Sequence, residues 1–336
     1  MERQVNHKKK RNGFTLIELL VVIAIISLLI SILLPALSAA RKSSQATKCG
    51  TNLHHVGQAV ASYLVDSSGT YPCSYIYPYD GGGNYDLQAQ DQVNDHPFGY
   101  LHWSFYMYNG GQAPEQSFSC PSIQFGGTPR SNPGAEGWLP GQVDQNGASG
   151  PPGTVQDRQA MFVAYGGNAA IFPRNKFTPS MSGGPRVNQF VSEKDFNTGR
   201  VILAAEFSDN WKLLGVQEGG GVHSKGHRSI NPFWSVTSGS DEYNTDPNNS
   251  AFTYRPDPNY GLRSLASASV GWIDSGNVSE VNTVGRHHPG GDKWGGSANF
   301  LYADGHVERK PVLQTLMKAE WGNRYYALTG DNRVAN

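Results

Sequence analysis

Charge is scarce in this chain and carries no bias. Only 16% of its 336 residues are charged, and 27 basic side chains face 27 acidic ones. A nucleic-acid partner or an acidic substrate calls for a basic surface, so neither is expected. Cysteine is sparse too, at three residues, Cys49, Cys73 and Cys120. His54-His55 after Cys49 lacks the Cys-x-x-Cys-His spacing of haem attachment. The glycine run Gly81 to Asn84 has no Lys-Ser/Thr behind it, which excludes a phosphate loop. Around His223 to Ser229 two serines, two histidines and a lysine stand close together, but without a strained elbow or a partner acid to activate a nucleophile. There is no internal repeat. Glycine and proline are abundant, at 40 and 20 residues, and aromatics make up 11%. That composition argues for an ordered, loop-rich and strand-rich body rather than a helical one.

The one long hydrophobic run lies near the start. Leu16 to Leu34 is 19 residues interrupted only by Glu18, Ser27 and Ser31. At about 1.5 Å per residue it is long enough to cross roughly 30 Å of hydrocarbon. Lys8, Lys9, Lys10 and Arg11 precede it, against Arg41, Lys42 and Lys48 behind it, which places the N-terminus in the cytoplasm and the body outside. A cleavable secretory signal ending in "ALSAA" is the rival reading. The run is longer than the usual 7 to 15 apolar residues of such a signal, and an acid costs on the order of 2.5 kcal/mol at mid-bilayer depth. A positive charge at similar depth offsets that cost. Cutting the chain between Gly13 and Phe14 supplies one, because the new α-amine of one copy can pair with Glu18 of a neighbour.

With these residues in view, "GFTLIELLVVIAII" resembles the prepilin signature of type IV pilins and type II secretion pseudopilins, over Gly13 to roughly Ala40. The resemblance implies cleavage after Gly13 by a membrane prepilin peptidase, N-methylation of Phe14, and Glu18 as the acid that guides docking into a filament. It also implies partners: other pilin or pseudopilin subunits and an inner-membrane assembly platform. Pro35 sits where pilin helices commonly kink, and its missing N–H is the physical reason.

Past the membrane, Leu53, Val56, Val60, Tyr63 and Leu64 keep helical spacing, and Gly69 ends the pattern. Gly50 and Gly57 are expected to bend or fray the helix, each at roughly 1 kcal/mol relative to Ala. Strands are expected over Met161 to Phe172, Gly199 to Phe207, Ala268 to Asp274 and Ser297 to Arg309, the last with Asp304-Gly305 as a type I′ hairpin turn. Gly126 to Gly153 and Gly215 to Pro258 read as surface excursions. The expected fold is α+β and pilin-like: a leader over 1–13, a membrane and assembly helix over 14–40, its amphipathic half over 41–66, and an exported head over 67–336. In the head, an antiparallel sheet with long loops packs on the second half of the helix.

A second resemblance covers most of the body. "CGTNLHHVGQAVASY", "FSCPS", "VILAAEFSDNW" and "RHHPGGDKWGGSANFLYADGHVE" look like a large group of prepilin-headed bacterial proteins of unknown function with a C-terminal His-x9-Asp-Gly signature. Here 15 residues separate His288 from Asp304, so "PGGDKW" or a similar piece reads as an insertion. His287, His288, Asp292, Asp304 and His306, with Glu206 and Asp209 as neighbours, form the candidate metal constellation. Imidazoles with carboxylates suit zinc, and carboxylates with carbonyls suit calcium, but no spacing matches a known ligand motif. No other cofactor is expected, and no enzymatic activity. Three single disulfides are open, and the loop contexts of Cys73 and Cys120 favour that pair. The function expected is a pseudopilin-like minor or tip subunit. The alternative is a membrane-anchored envelope protein whose aromatics, Trp103 among them, hold a glycan.

Overall fold

The computed structural model describes residues 14–76, 98–144, 147, 155–173, 190–235, 252–254, 260–272, 280–327 and 330–335. The leader with Gly13, the Gly81–Asn84 run, Tyr77–Tyr79 and Asp274 lie outside them. The chain divides into two units, Met1–Ser44 and Gln45–Asn336. The division falls within one helix, α1, Leu16–Asp66. In the first unit every described residue is exposed, and large apolar side chains such as Leu16, Ile23, Leu29 and Leu37 have no protein surface to cover them. The helix is long and apolar enough here to cross a membrane. It runs unbroken through Pro35, which removes the amide that would bond the Ser31 carbonyl.

In the second unit α1 turns a stripe inward. Ala46, Cys49, Leu53, Val56, Val60 and Leu64 are buried, three or four residues apart and therefore on one face. The helix stops in a Schellman motif, with Ser68 in the left-handed region (φ 56°) and the Gly69 amide donating to the Leu64 carbonyl at 2.7 Å. Gly50 and Gly57 are not weak points. A Cβ at Gly50 would lie 3.3 Å from Asn299 Oδ1, and one at Gly57 only 2.8 Å from Leu301 Cδ1. Both glycines let the sheet approach the helix axis, and that packing outweighs their poor helix propensity.

The sheet beneath α1 has five strands: β1 Tyr165–Gly167, β2 Ile202–Glu206, β3 His288–Asp292, β4 Gly295–Tyr302 and β5 Val307–Lys310. The order is β3-β4-β2-β1, with β5 also paired to β4, and every pairing is antiparallel. β4 is the hub, since Phe300 lies opposite both Ala205 and Glu308. Its outer residues hold the helix: Asn299 Nδ2 donates to the Ala46 carbonyl at 3.1 Å, and from β1 the Tyr165 hydroxyl donates to the Cys49 carbonyl at 2.9 Å. A short helix α2, Trp103–Asn109, adds Trp103 and Met107 to the same core. A second short helix, α3, Val312–Met317, follows β5.

The rest of the body is several small sheets, and three of their pairings are parallel: 98–102 with 156–158, 142–143 with 221–224, and 252–253 with 330–335. The expected strand over Met161 to Phe172 is broken, because after β1 the chain turns at Asn168–Ile171. Ala268 to Trp272 forms no strand. Gly271 takes φ 81° and Val270 is partly exposed, so neither the backbone nor burial favours an extended run. The β4–β5 turn differs too. Gly305 alone has positive φ (92°), its amide donates to the Tyr302 carbonyl at 2.9 Å, and Tyr302 N donates to the His306 carbonyl at 2.9 Å. This is a three-residue loop with a type I turn and a left-handed glycine, not the two-residue type I′ turn.

Candidate functional site

At the start of α1, Thr15 and Glu18 close a capping box. The Thr15 amide and hydroxyl each donate to Glu18 Oε2 at 2.8 Å, and the Glu18 amide donates back to Thr15 Oγ1 at 3.2 Å. Thr-x-x-Glu is the sequence form of this motif, and it was legible in "TLIE". Two of the orphan amides of the first turn are thereby satisfied, and the carboxylate is held one turn from Phe14. A negative charge is also favoured at that end of a helix. Part of the cost of an acid in an apolar segment is thus offset within the chain. Phe14 itself is exposed.

A second constellation is buried under α1. Glu206 at the end of β2 is fully buried, and its carboxylate accepts from the Asn299 amide at 2.7 Å and from Asn299 Nδ2 at 2.9 Å. His288 Nε2 lies 2.9 Å from both of its oxygens. His287 packs against His288 with ring centroids 4.3 Å apart, and burial pushes its pKa down. Its Nε2 lies 3.9 Å from Cys120 Sγ. Cys120 is in a disulfide with Cys49, which corrects the expected Cys73–Cys120 pair. The helix face decides it: Cys49 is on the buried stripe above Cys120, whereas Cys73 is a buried thiol elsewhere.

The five expected metal-site residues do not come together. Only His287 and His288 share the buried cluster. Asp292 is at the exposed tip of the β3–β4 hairpin, where it accepts from the Trp294 amide at 2.8 Å. Asp304 and His306 pair with each other in the β4–β5 turn, at the other end of β4. Asp209 lies beyond the end of β2 and is exposed. Pro289–Trp294 form the far end of the β3–β4 hairpin, and His288 sits at its base opposite Ser297.

Trp103 and the histidines of 223–229 fall into the core. Trp103 is buried and stacks on Phe172 at 4.9 Å, so it offers no face to a sugar. His223 and His227 are fully buried, and burial depresses both imidazole pKa values. The Ser131 hydroxyl lies 2.6 Å from His227 Nδ1 and also donates to the Ser224 carbonyl at 2.7 Å. This serine and histidine were not paired by sequence, and among the described residues no carboxylate completes a triad. His54 and His55 are both exposed, and His54 Nδ1 lies 3.0 Å from the Gly305 carbonyl in the β4–β5 turn.

An apolar helix able to span a membrane, entered through a capping box and followed by a β-rich body, defines a single-pass membrane-anchored precursor of α+β, pilin-like architecture. Residues 8–34 match the family model of the prokaryotic N-terminal methylation motif, so the chain carries the prepilin-type processing and methylation signature. That signature implies a processing peptidase and assembly with other pilin-type subunits. No curated protein and no solved structure matches the chain.

Proposed function

We propose that this protein is a pseudopilin-like subunit of a type II secretion or type IV pilus-like filament. In this reading it sits in the inner membrane with its N-terminus cytoplasmic and its head on the far side. It is cut after Gly13, methylated on Phe14, and drawn into the filament through α1. The observation that carries the reading is the methylation motif at residues 8–34 running into an exposed apolar helix with Glu18 in its first turn. Glu18 then docks by pairing with the Phe14 amine of a neighbouring copy, exchanging the Thr15 amide and hydroxyl for a full charge. A head of about 270 residues is bulkier than a filament shaft needs, which favours a minor or tip position.

Intact and N-terminal peptide mass spectrometry of the protein taken from native membranes tests the reading. The expected mature chain begins at N-methylated Phe14. A start near Ala39 or Ala40 means an ordinary secreted protein and ends the filament reading.

A further inference from the structure

Cys49 Sγ, Cys120 Sγ, a ring nitrogen of His288 and a Glu206 oxygen all lie within 4.8 Å of one another, and all four residues are buried. They come from α1, the loop after Phe118, β3 and β2, so the tertiary fold alone brings them together. Two thiolates, an imidazole and a carboxylate are the donor types of a four-coordinate zinc site, with sulfur about 2.3 Å and nitrogen or oxygen about 2.0–2.2 Å from the ion. Around such an ion neighbouring donors stand roughly 3–4 Å apart, so small side-chain rotations suffice. Sulfur and nitrogen donors favour zinc over calcium. In the present state the two sulfurs are joined, and a disulfide offers no thiolate.

We propose that this cluster is a two-state fastening of α1 to the sheet: a disulfide when oxidised, and a site for one Zn²⁺ held by Cys49, Cys120, His288 and Glu206 when reduced. The surroundings already serve the second state. Asn299 fixes the Glu206 carboxylate through two donors, the kind of support that orients metal ligands. His288 Nε2 lies 2.9 Å from the Glu206 oxygens, on the cluster side of the ring, so Nδ1, which has no hydrogen-bond partner among the described residues, carries the ring proton when the Nε2 lone pair turns to the ion. His287 Nε2, beside Cys120 Sγ, is placed to donate to the sulfur as thiolate. With a water-soluble phosphine as reductant, the S–S bond breaks, two electrons pass from phosphorus to the sulfurs, and water supplies the oxygen of the phosphine oxide and the two thiol protons. Zn²⁺ then displaces both protons to solvent as two Zn–S bonds form.

The test uses the full-length chain in detergent, reduced with phosphine, desalted without oxygen and titrated with Co²⁺ as the spectroscopic probe. One equivalent is expected to give thiolate-to-cobalt charge-transfer absorption and the visible bands of a tetrahedral site, both discharged by Zn²⁺. The oxidised protein is expected to give neither, and the C49S/C120S variant no charge-transfer absorption. His288→Ala and Glu206→Gln should each weaken binding by about tenfold or more. If reduction alone unfolds the head, recovery of its circular dichroism on adding Zn²⁺ supports the site equally. The proposal is overturned by a reduced, folded protein that takes up no stoichiometric Co²⁺. Uptake undiminished by oxidation or by His288→Ala also overturns it, as does a reduced, unfolded protein that Zn²⁺ fails to restore.

Discussion

At Gly57 one hydrogen atom stands between helix and sheet. Alanine is the better helix former by about 1 kcal/mol, but its methyl would lie 2.8 Å from Leu301 Cδ1. Overpacking of that kind costs about 1–3 kcal/mol. Gly57→Ala is therefore expected to lower stability in thermal denaturation, and an unchanged or raised midpoint would mean that Leu301 yields freely. Titration acts at the same scale. His102, His223 and His227 are buried and their pKa values are depressed, His102 to about 3, with burial the leading cause in each. A depressed folded pKa contributes stability that is present above about 6.5 and lost as pH falls below it. Asp157 works the other way. Burial raises its pKa to about 6, so its ionised form costs stability as pH rises from about 4 through 6. With His287, whose pKa burial also lowers, four histidines stand against one aspartate, so acidification gives a net loss and the melting temperature is expected to fall between pH 7 and 5. His102→Asn keeps an acceptor for the Ser104 amide at the start of α2 and should flatten that slope.

Across the first turn of α1, capping and docking ask different things of Glu18. Glutamine can close a capping box as glutamate does, but it cannot pair a charge with an amine. Glu18→Gln is thus expected to leave the protein inserted in the membrane and processed, yet absent from sheared filaments on immunoblots. Incorporation at the wild-type level would reduce Glu18 to a cap. Thr15→Val removes the hydroxyl and should cost the helix start about 1 kcal/mol while leaving docking in place.

Over the whole body, the Cys49–Cys120 disulfide spans 71 residues and joins α1 to the loop after Phe118. Closing a loop of that length restricts the unfolded chain by roughly 4 kcal/mol in the chain-entropy account. Cys120→Ser is expected to lower the denaturant midpoint accordingly. Non-reducing peptide mapping should recover Cys49 linked to Cys120, with Cys73 alkylated only after unfolding. A loss of stability from Cys73→Ser as large as that from Cys120→Ser would count against this assignment of the fastening.

The membrane helix, the processing signature, the inward stripe of α1 and the hairpin of β4 and β5 can all be read from the sequence. These are local patterns, in which apolar length, 3.6-residue spacing and turn residues act over a few neighbours. That Cys49 and not Cys73 meets Cys120, that Gly50 and Gly57 are contact points, and that Glu206 joins His288 while Asp304 stays apart follow from three-dimensional packing. Those outcomes depend on which face of the helix meets which strand of the sheet. Residues separated by 71 or 82 positions are brought into contact by burial of the whole core, and no local spacing records it.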